Sequence, residues 1–218
     1  MAEEKTITEL VNDLYEIDNR IYTNKMRLKS IESNFERVAP YSAEFECLMN
    51  NALQIKDELE GKLGLYAEKF LLEYYRKEHP ELSANASQIA WQLDDSENQL
   101  LPKMQTDIML SQGNNILIID AKYYSHMTQQ QYGTNTLHSN NLYQIFTYVK
   151  NKEFELKDCE HTVSGMLLYA QTDENVIPNN TYQMSGNQIS VRALNLNQDF
   201  SGISEDLDSI IKKHFFYH

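Results

Sequence analysis

The sequence predicts an α/β (α+β) fold in which helices flank a mixed β-sheet, preceded by a helical annex. Three observations support this prediction. Apolar residues recur at helical spacing up to residue 60, residues 107–122 have the pattern of a β-hairpin, and helical and strand patterns alternate after that hairpin. We therefore expect an N-terminal helical region over residues 1–60 and a mixed-sheet domain over residues 61–218.

The N-terminal region shows three periodic stretches. Thr6 and Glu9 form a capping box ahead of the first, the second ends before Pro40, and Ser42 opens the third. We interpret the apolar stripes of these helices as packing surfaces within the region. A groove for a partner protein is the alternative interpretation.

The composition is that of a folded globular protein without linkers. At 218 residues the chain is long enough for one well-buried domain, and its 7 glycines and 4 prolines mark no boundary. Cys47 and Cys159 form no CxxC pair, which argues against a cysteine-ligated metal site and fits a reducing cytoplasm. No signal peptide and no apolar run of roughly 18 residues occurs, so we expect neither secretion nor a membrane span.

The net charge of −13 restricts the partners that the chain can bind alone. Proteins that grip nucleic acid by themselves neutralise phosphates with Lys and Arg, whereas an acidic chain is repelled at long range. If the chain acts on DNA, we expect a subunit whose partner supplies much of the grip. The same charge is also an argument against action on DNA.

The hairpin pattern centres on Gly113-Asn114, a residue pair that tolerates positive φ and therefore favours a tight turn. A turn there pairs Ile108 with Ile119 and, one step further, Asp107 with Asp120. Directly opposite residues of an antiparallel pair share a face, with Cβ atoms roughly 4.5–5.5 Å apart. Two carboxylates would then face each other at the open end of the hairpin.

Lys122 joins this pair of carboxylates because side chains along a strand alternate, so that Asp120 and Lys122 share a face. They close the uninterrupted apolar run Ile116–Ile119, which is typical of a strand buried on both faces. Charged groups that end a buried strand need partners. We therefore predict a divalent-metal site with a lysine beside it. An edge hairpin whose charges lie in water is the alternative.

The remaining pattern predicts seven further segments around the hairpin. They are a helix over 65–79 ended by Pro80, a strand over 88–93 with Trp91 in the core, a polar surface loop over 125–141, a helix over 142–149, a strand over 163–170, a hairpin over 183–196 and an amphipathic helix over 206–216. In the polar loop, a DNA-facing role for Tyr132 and the neighbouring amides is the alternative to an ordinary surface loop.

Four motifs occur in a fixed order from residue 61 onward. They are Tyr66-Ala-Glu68-Lys-Phe70, Thr106-Asp107-Ile108, Ile119-Asp120-Ala-Lys122-Tyr-Tyr124 and Leu142-Tyr-Gln144-Ile-Phe-Thr-Tyr148. Together they resemble the PD-(D/E)xK nucleases, and more closely the nuclease half of the McrC family, the cleavage subunits of McrBC modified-cytosine restriction systems. Thr106 stands where these nucleases often have proline. The resemblance implies a restriction-endonuclease-like sheet and a metal-dependent DNA endonuclease.

The resemblance also implies roles for individual residues. Asp107, Asp120 and the Ala121 backbone carbonyl would bind Mg²⁺, for which Mn²⁺ can substitute, and Glu68 would act through a metal-bound water. An ordinary exposed helical acid is the alternative for Glu68.

Two further residues would act on water or DNA. Lys122 would polarise the attacking water or stabilise charge on the phosphate. Gln144, which shares a helix face with Tyr148, would orient water or phosphate, and a solvent-facing glutamine is the alternative.

The partners implied are DNA and an AAA+ GTPase motor subunit of the McrB kind. The chain contains no Gly-x-x-x-x-Gly-Lys-Ser/Thr loop, so GTP hydrolysis would belong to that partner. Two other functions stay open: a self-contained nuclease of the junction-resolvase or repair type, and a catalytically idle interaction subunit.

Overall fold

The fold is described from a computed structural model, over residues 22, 61, 64–95, 97–124, 127–131, 134–172, 174 and 177–216. The chain forms two compact units, Met1–Phe70 and Leu71–His218. The helices predicted between residues 6 and 60 lie outside the described residues, apart from Tyr22, which is helical. The predicted boundary between residues 60 and 61 stays a prediction. In the described part of the chain, no helix is both long enough and apolar enough to span a membrane.

The described elements are three α-helices, ten strands and one π-helical segment, in the α/β arrangement that the sequence predicted. The helices are α1 (64–78), α2 (Ser139–Glu155) and α3 (Phe200–Ile211), and α3 continues into the π-helix Lys212–Phe216. The strands are β1 (Ser83–Asn85), β2 (Gln88–Ile89), β3 (Met104–Gln105), β4 (Ile108–Gln112), β5 (Asn115–Lys122), β6 (Thr128–Gln131), β7 (Thr134–Leu137), β8 (Thr162–Ala170), β9 (Asn180–Met184) and β10 (Asn187–Leu194).

Six of these strands form one mixed sheet in the order β1-β4-β5-β8-β10-β9. β5 pairs antiparallel with β4 and parallel with β8, and β8 pairs parallel with β10. Parallel neighbours need a crossover, which between β5 and β8 contains α2. The predicted mixed sheet flanked by helices is therefore confirmed.

The β4–β5 hairpin has the predicted register. Ile108 pairs with Ile119 and Leu110 with Leu117, and Gly113 sits in the turn at φ 60°. Residues 116–121 of β5 are all buried, because β5 lies in the middle of the sheet. The prediction of a central strand covered on both faces is confirmed, and the edge-hairpin alternative is wrong.

Helix α2 packs closely on β8 because residue 165 is glycine. A Cβ there would lie 2.8 Å from Ile145 Cγ1 and 2.9 Å from Val149 Cγ2, closer than packed carbons approach. Ile145 and Val149 are fully buried against the sheet. This contact holds the helix that carries Gln144 at a fixed height over β5 and β8.

The polar segment predicted as a surface loop over 125–141 is different in the structure. β6 and β7 pair antiparallel from Thr128–Leu137 to Gln131–Thr134, and α2 begins at Ser139 rather than Leu142. The two strands are Thr-Gln-Gln-Gln and Thr-Asn-Thr-Leu, and because Leu137 is their one apolar residue, no strand periodicity is visible in the sequence. The backbone pairing, and not burial of an apolar stripe, defines this two-stranded ribbon. Tyr132 lies outside the described residues.

Three other boundaries differ from the predicted ones. The strand predicted over 88–93 is limited to Gln88–Ile89, and Trp91 is only partly buried, its indole N–H donating to the Pro102 carbonyl at 2.6 Å. The last helix starts six residues earlier than predicted because Asp199 caps it, accepting from Gly202 N at 3.0 Å. The β9–β10 hairpin turns at Ser185-Gly186, inside the predicted range, and begins at Asn180.

Candidate active site

The site lies where β5 ends and β4 begins, at the open end of the central hairpin. Asp107 immediately precedes β4, and one of its carboxylate oxygens accepts a hydrogen bond from the Ala121 backbone N–H at 2.8 Å. Continuing the β4–β5 register by one residue places Asp107 opposite Asp120. The backbone of β5 therefore holds the carboxylate of Asp107, the residue before β4.

Asp120 is 1% exposed and forms an ion pair with Lys122, whose Nζ lies 2.8 Å from Asp120 Oδ2. Within the described residues, neither carboxylate oxygen of Asp120 has a partner that meets hydrogen-bond geometry. Burying a charged group without hydrogen bonds is costly. The ion pair offsets part of that cost and leaves lone pairs on Asp120 available to a ligand.

The charges of the cluster shift one another's protonation. Burial raises the pKa of Asp120 to about 7; the negative charge of Asp107 adds to this rise and the positive charge of Lys122 opposes it. Burial also raises the pKa of Asp107, against the effects of Lys122 and of the Ala121 N–H. For Lys122, burial opposes the charged form, but the two carboxylates outweigh it and raise the pKa of its ammonium. Lys122 therefore keeps its proton at neutral pH.

Gln144 meets the cluster from helix α2. Its Oε1 accepts from Lys122 Nζ at 3.3 Å, and its Nε2 donates to the Tyr148 hydroxyl at 3.0 Å. The second bond fixes which end of the amide faces the lysine. The structure thus brings four of the predicted residues together, namely Asp107, Asp120, Lys122 and Gln144. Their chemical roles stay predictions.

A second layer of polar contacts lies behind Lys122 and was missed from the sequence. Asn141, buried at the start of α2, donates to the Tyr169 hydroxyl at 2.9 Å and accepts from the Tyr124 hydroxyl at 3.4 Å. Tyr169 is the β8 partner of Lys122 in the parallel register. No local sequence pattern indicates such a network, because its residues come into contact only when the crossover between β5 and β8 has formed.

Thr106, which precedes Asp107, forms hydrogen bonds that a proline at this position could not form. Thr106 N donates to the Ser87 carbonyl at 2.9 Å, and its hydroxyl exchanges bonds with Ser87 N and Ser87 O, both at 3.0 Å. Proline has neither the N–H nor the hydroxyl. Thr106 is 1% exposed, so these bonds hold the residue before Asp107 in the interior.

For two of the predicted site residues, the structure gives a location in the fold. Glu68 lies on helix α1 and is half-buried, but it belongs to the unit Met1–Phe70, whereas the cluster belongs to Leu71–His218. Ala121 is buried and pairs with Leu168 of β8. The metal-binding roles of Glu68 and of the Ala121 carbonyl stay predictions.

The donor set suits a hard divalent cation. Asp107 and Asp120 supply carboxylate oxygens at one point, and the unsatisfied oxygens of Asp120 are the ligand type that Mg²⁺ prefers. The described residues hold no group of three or more His, Cys, Asp or Glu side chains close enough to bind one metal ion. Two carboxylates with waters completing the shell are a common arrangement for Mg²⁺.

Mn²⁺ binding by this cluster is expected to strengthen as pH rises from about 5.5 to 7.5. A cation competes with the proton that the raised pKa of Asp120, about 7, keeps on the apo cluster. Below that pH each unit should cost about tenfold in affinity per proton displaced, and above it affinity should level off. Isothermal titration with Mn²⁺ across this range measures the effect. A flat profile, or a midpoint near pH 4, would contradict the buried cluster as the binding site.

Comparison with known proteins places these residues in a family context. The family described as "McrBC 5-methylcytosine restriction system component" matches residues 65–170. The type IV methyl-directed restriction enzyme EcoKMcrBC of Escherichia coli (strain K12) is 32% identical to the chain over 158 residues. The aligned region is 71% of this chain and 44% of the E. coli protein, so the chain spans less than half of that relative's length.

The matched range, residues 65–170, contains the two strands and the helix that build the cluster. It therefore covers the motifs on which the resemblance was first based. The two matches confirm that resemblance: the chain is a McrC-like protein, consistent with membership of the PD-(D/E)xK nuclease superfamily.

Proposed function

We propose that the chain is the metal-dependent DNA endonuclease subunit of a McrBC-like, GTP-dependent restriction system, hydrolysing phosphodiester bonds. The observation that carries this proposal is the buried cluster at the end of β5. Asp120 is 1% exposed, its oxygens lack hydrogen bonds among the described residues, and Lys122 Nζ lies 2.8 Å away. A fold that only needed a stable strand would place apolar residues there, since buried ion pairs rarely add stability over apolar packing.

The residues have distinct parts in the proposed reaction. Asp107, Asp120 and the Ala121 carbonyl would hold Mg²⁺, or Mn²⁺ in its place, with Glu68 acting through a water. The bound cation supplies the positive charge that activates water and neutralises the scissile phosphate. Lys122, protonated because the two carboxylates raise its pKa, donates to the attacking water or to a phosphate oxygen.

Gln144 positions Lys122 in this scheme. Its Oε1 accepts from the ammonium at 3.3 Å, while Tyr148 occupies its Nε2, so the carbonyl end always faces the lysine. The ammonium is then held between Asp120 and Gln144, with a third N–H left for water or phosphate. Orientation of this kind matters because small misplacements of a catalytic group cost large factors in rate.

The partner supplies what an acidic chain lacks. With a net charge of −13, the protein is repelled by DNA at long range. An AAA+ GTPase subunit of the McrB kind would recognise DNA and hydrolyse GTP, and this chain would cut. The E. coli relative is itself described as a methyl-directed restriction enzyme, which supports a modified-DNA substrate for the assembly.

Plasmid cleavage tests the proposal directly. Supercoiled DNA is incubated with the chain and Mg²⁺, with and without a cognate AAA+ GTPase and GTP. We expect nicked and linear products only when the motor and GTP are both present. Efficient cleavage by the chain alone would instead support a self-contained nuclease, and no cleavage together with no Mn²⁺ binding would support an idle interaction subunit.

A further inference from the structure

The acids of this chain are spread unevenly. The chain has 32 Asp and Glu residues against 19 Lys and Arg, yet residues 121–152 contain three lysines and no acid at all. An even spread would place about five acids in a segment of that length. We call residues 121–152 the acid-free segment. It begins one residue after Asp120 and ends one residue before Glu153.

The acid-free segment contains the ribbon and most of helix α2. The chain leaves β5 at Lys122, forms the ribbon β6–β7 from Thr128 to Leu137, and enters α2, whose Gln144 accepts from Lys122 Nζ. The root of the ribbon is anchored, since the Glu174 carboxylate accepts from Met127 N at 2.6 Å and from the Thr128 hydroxyl at 3.0 Å. Met127 itself is fully buried. The residues at which the ribbon begins are therefore held in place.

Among the residues of the segment whose burial the structure describes, the exposed side chains are neutral. Asn135 on β7, Asn140 in the first turn of α2 and Tyr143, 68% exposed, all face solvent. Asn140 lies one helical turn before Gln144, so both stand on one face of α2. Amides and hydroxyls of this kind make many of the phosphate and sugar contacts in protein–DNA complexes, and the major groove admits a two-stranded β-ribbon.

The lysines of the segment do not form a basic patch. Lys122 pairs with Asp120, Lys150 with Glu153, and Lys152 with Glu155 at 2.7 Å. Each positive charge is already balanced by a carboxylate. Any grip on DNA by this surface must therefore come from neutral hydrogen bonds and from the local absence of repulsion.

We propose that the β6–β7 ribbon and the first turns of α2 are the surface that seats duplex DNA over the cluster, through neutral amide and hydroxyl contacts. This inference rests on the proposed endonuclease function and names the part of the chain that meets its substrate. The proposal predicts a weak salt dependence of DNA binding. Because few phosphates are neutralised, the slope of log affinity against log salt concentration should be no steeper than about −2. A basic site with several lysines would give a steeper slope.

The test introduces a negative or a positive charge at one exposed, neutral position. Asn140→Glu and Asn140→Lys are compared by fluorescence anisotropy with a labelled DNA duplex at low salt, in EDTA so that no cleavage occurs. We expect Asn140→Glu to bind about tenfold more weakly than wild type, and Asn140→Lys to bind more tightly with a salt slope steeper by about 1. Helix stability predicts the opposite order, since an acid favours the N-terminal turn of α2 and a lysine disfavours it.

A matched control uses an exposed asparagine outside the segment. Asn180 lies on β9, the edge strand beyond β10. Asn180→Glu and Asn180→Lys should change duplex affinity less than twofold. Mn²⁺ titration of the same preparations tests the proposed function separately, because all four variants should bind Mn²⁺ like wild type.

The outcomes separate the two proposals. If the wild-type protein did not bind Mn²⁺, the proposed endonuclease function would be overturned. Normal Mn²⁺ binding with equal duplex affinity in both Asn140 variants, measured for the complex with the GTPase subunit where the chain alone does not bind, would overturn the DNA-seating surface alone. Association with the GTPase subunit that changes in the Asn140 variants, while duplex affinity does not, would reassign this surface to a protein partner.

Discussion

Replacing Asp120 with asparagine is expected to abolish detectable Mn²⁺ binding and DNA nicking while the apo protein melts at the same temperature or slightly higher. The carboxylate is buried and lacks hydrogen bonds among the described residues. Burial raises its pKa to about 7, and the negative charge of the facing Asp107 adds to this rise. Asparagine keeps the shape and removes both the buried charge and the repulsion, and Asp107 remains as a carboxylate that stabilises the Lys122 ammonium. The apo fold therefore loses little, whereas the cation loses a ligand.

Calorimetric titration with Mn²⁺, thermal unfolding in EDTA and a plasmid assay on one preparation measure the three effects. Asp94→Asn is the matched control, because Asp94 is exposed on the loop after β2 and the same chemical change should alter none of the three. Asp107→Ala should reproduce the loss of binding and nicking. A large fall in the apo melting temperature of Asp120→Asn would show that the carboxylate is structural and that the metal assignment is wrong.

The central hairpin was predictable because two independent local signals agree on it. The Gly113-Asn114 turn fixes the register, and the apolar run before Asp120 fixes which strand is central. Together they place Asp107 and Asp120 opposite each other without knowledge of the rest of the chain. Gln144 needed the family resemblance as well, since helical periodicity gives its face but not the strand that the face meets.

The ribbon and the Asn141–Tyr169 contact could not be predicted for a physical reason. Apolar periodicity in a sequence indicates which residues are buried, and β6 and β7 contain a single apolar residue, Leu137, so they show no apolar stripe. Asn141 and Tyr169 are 28 residues apart and meet only through the parallel pairing of β5 with β8. Their contact is a consequence of topology, which residue spacing does not record.

Lys122→Ala is expected to separate metal binding from cleavage. The ammonium contributes positive charge 2.8 Å from Asp120, so its removal should leave Mn²⁺ affinity intact or raise it. Losing that charge also raises the pKa of Asp120 further, so the titration is repeated at increasing pH until the Mn²⁺ affinity levels off, and the plateau affinities are compared. Cleavage should fall by roughly 10²–10³, the usual cost of one lost electrostatic contact to a transition state.

Lys122→Arg should not restore cleavage. A planar guanidinium cannot replace a compact ammonium held between Asp120 Oδ2 and Gln144 Oε1, at 2.8 and 3.3 Å. Lys103→Ala, at an exposed position before β3, controls for the loss of one positive charge from the protein. Loss of metal binding and cleavage together in Lys122→Ala would indicate a folding role. Cleavage near the wild-type rate would remove Lys122 from the reaction and, with it, the main chemical reason to class this site among the PD-(D/E)xK nucleases.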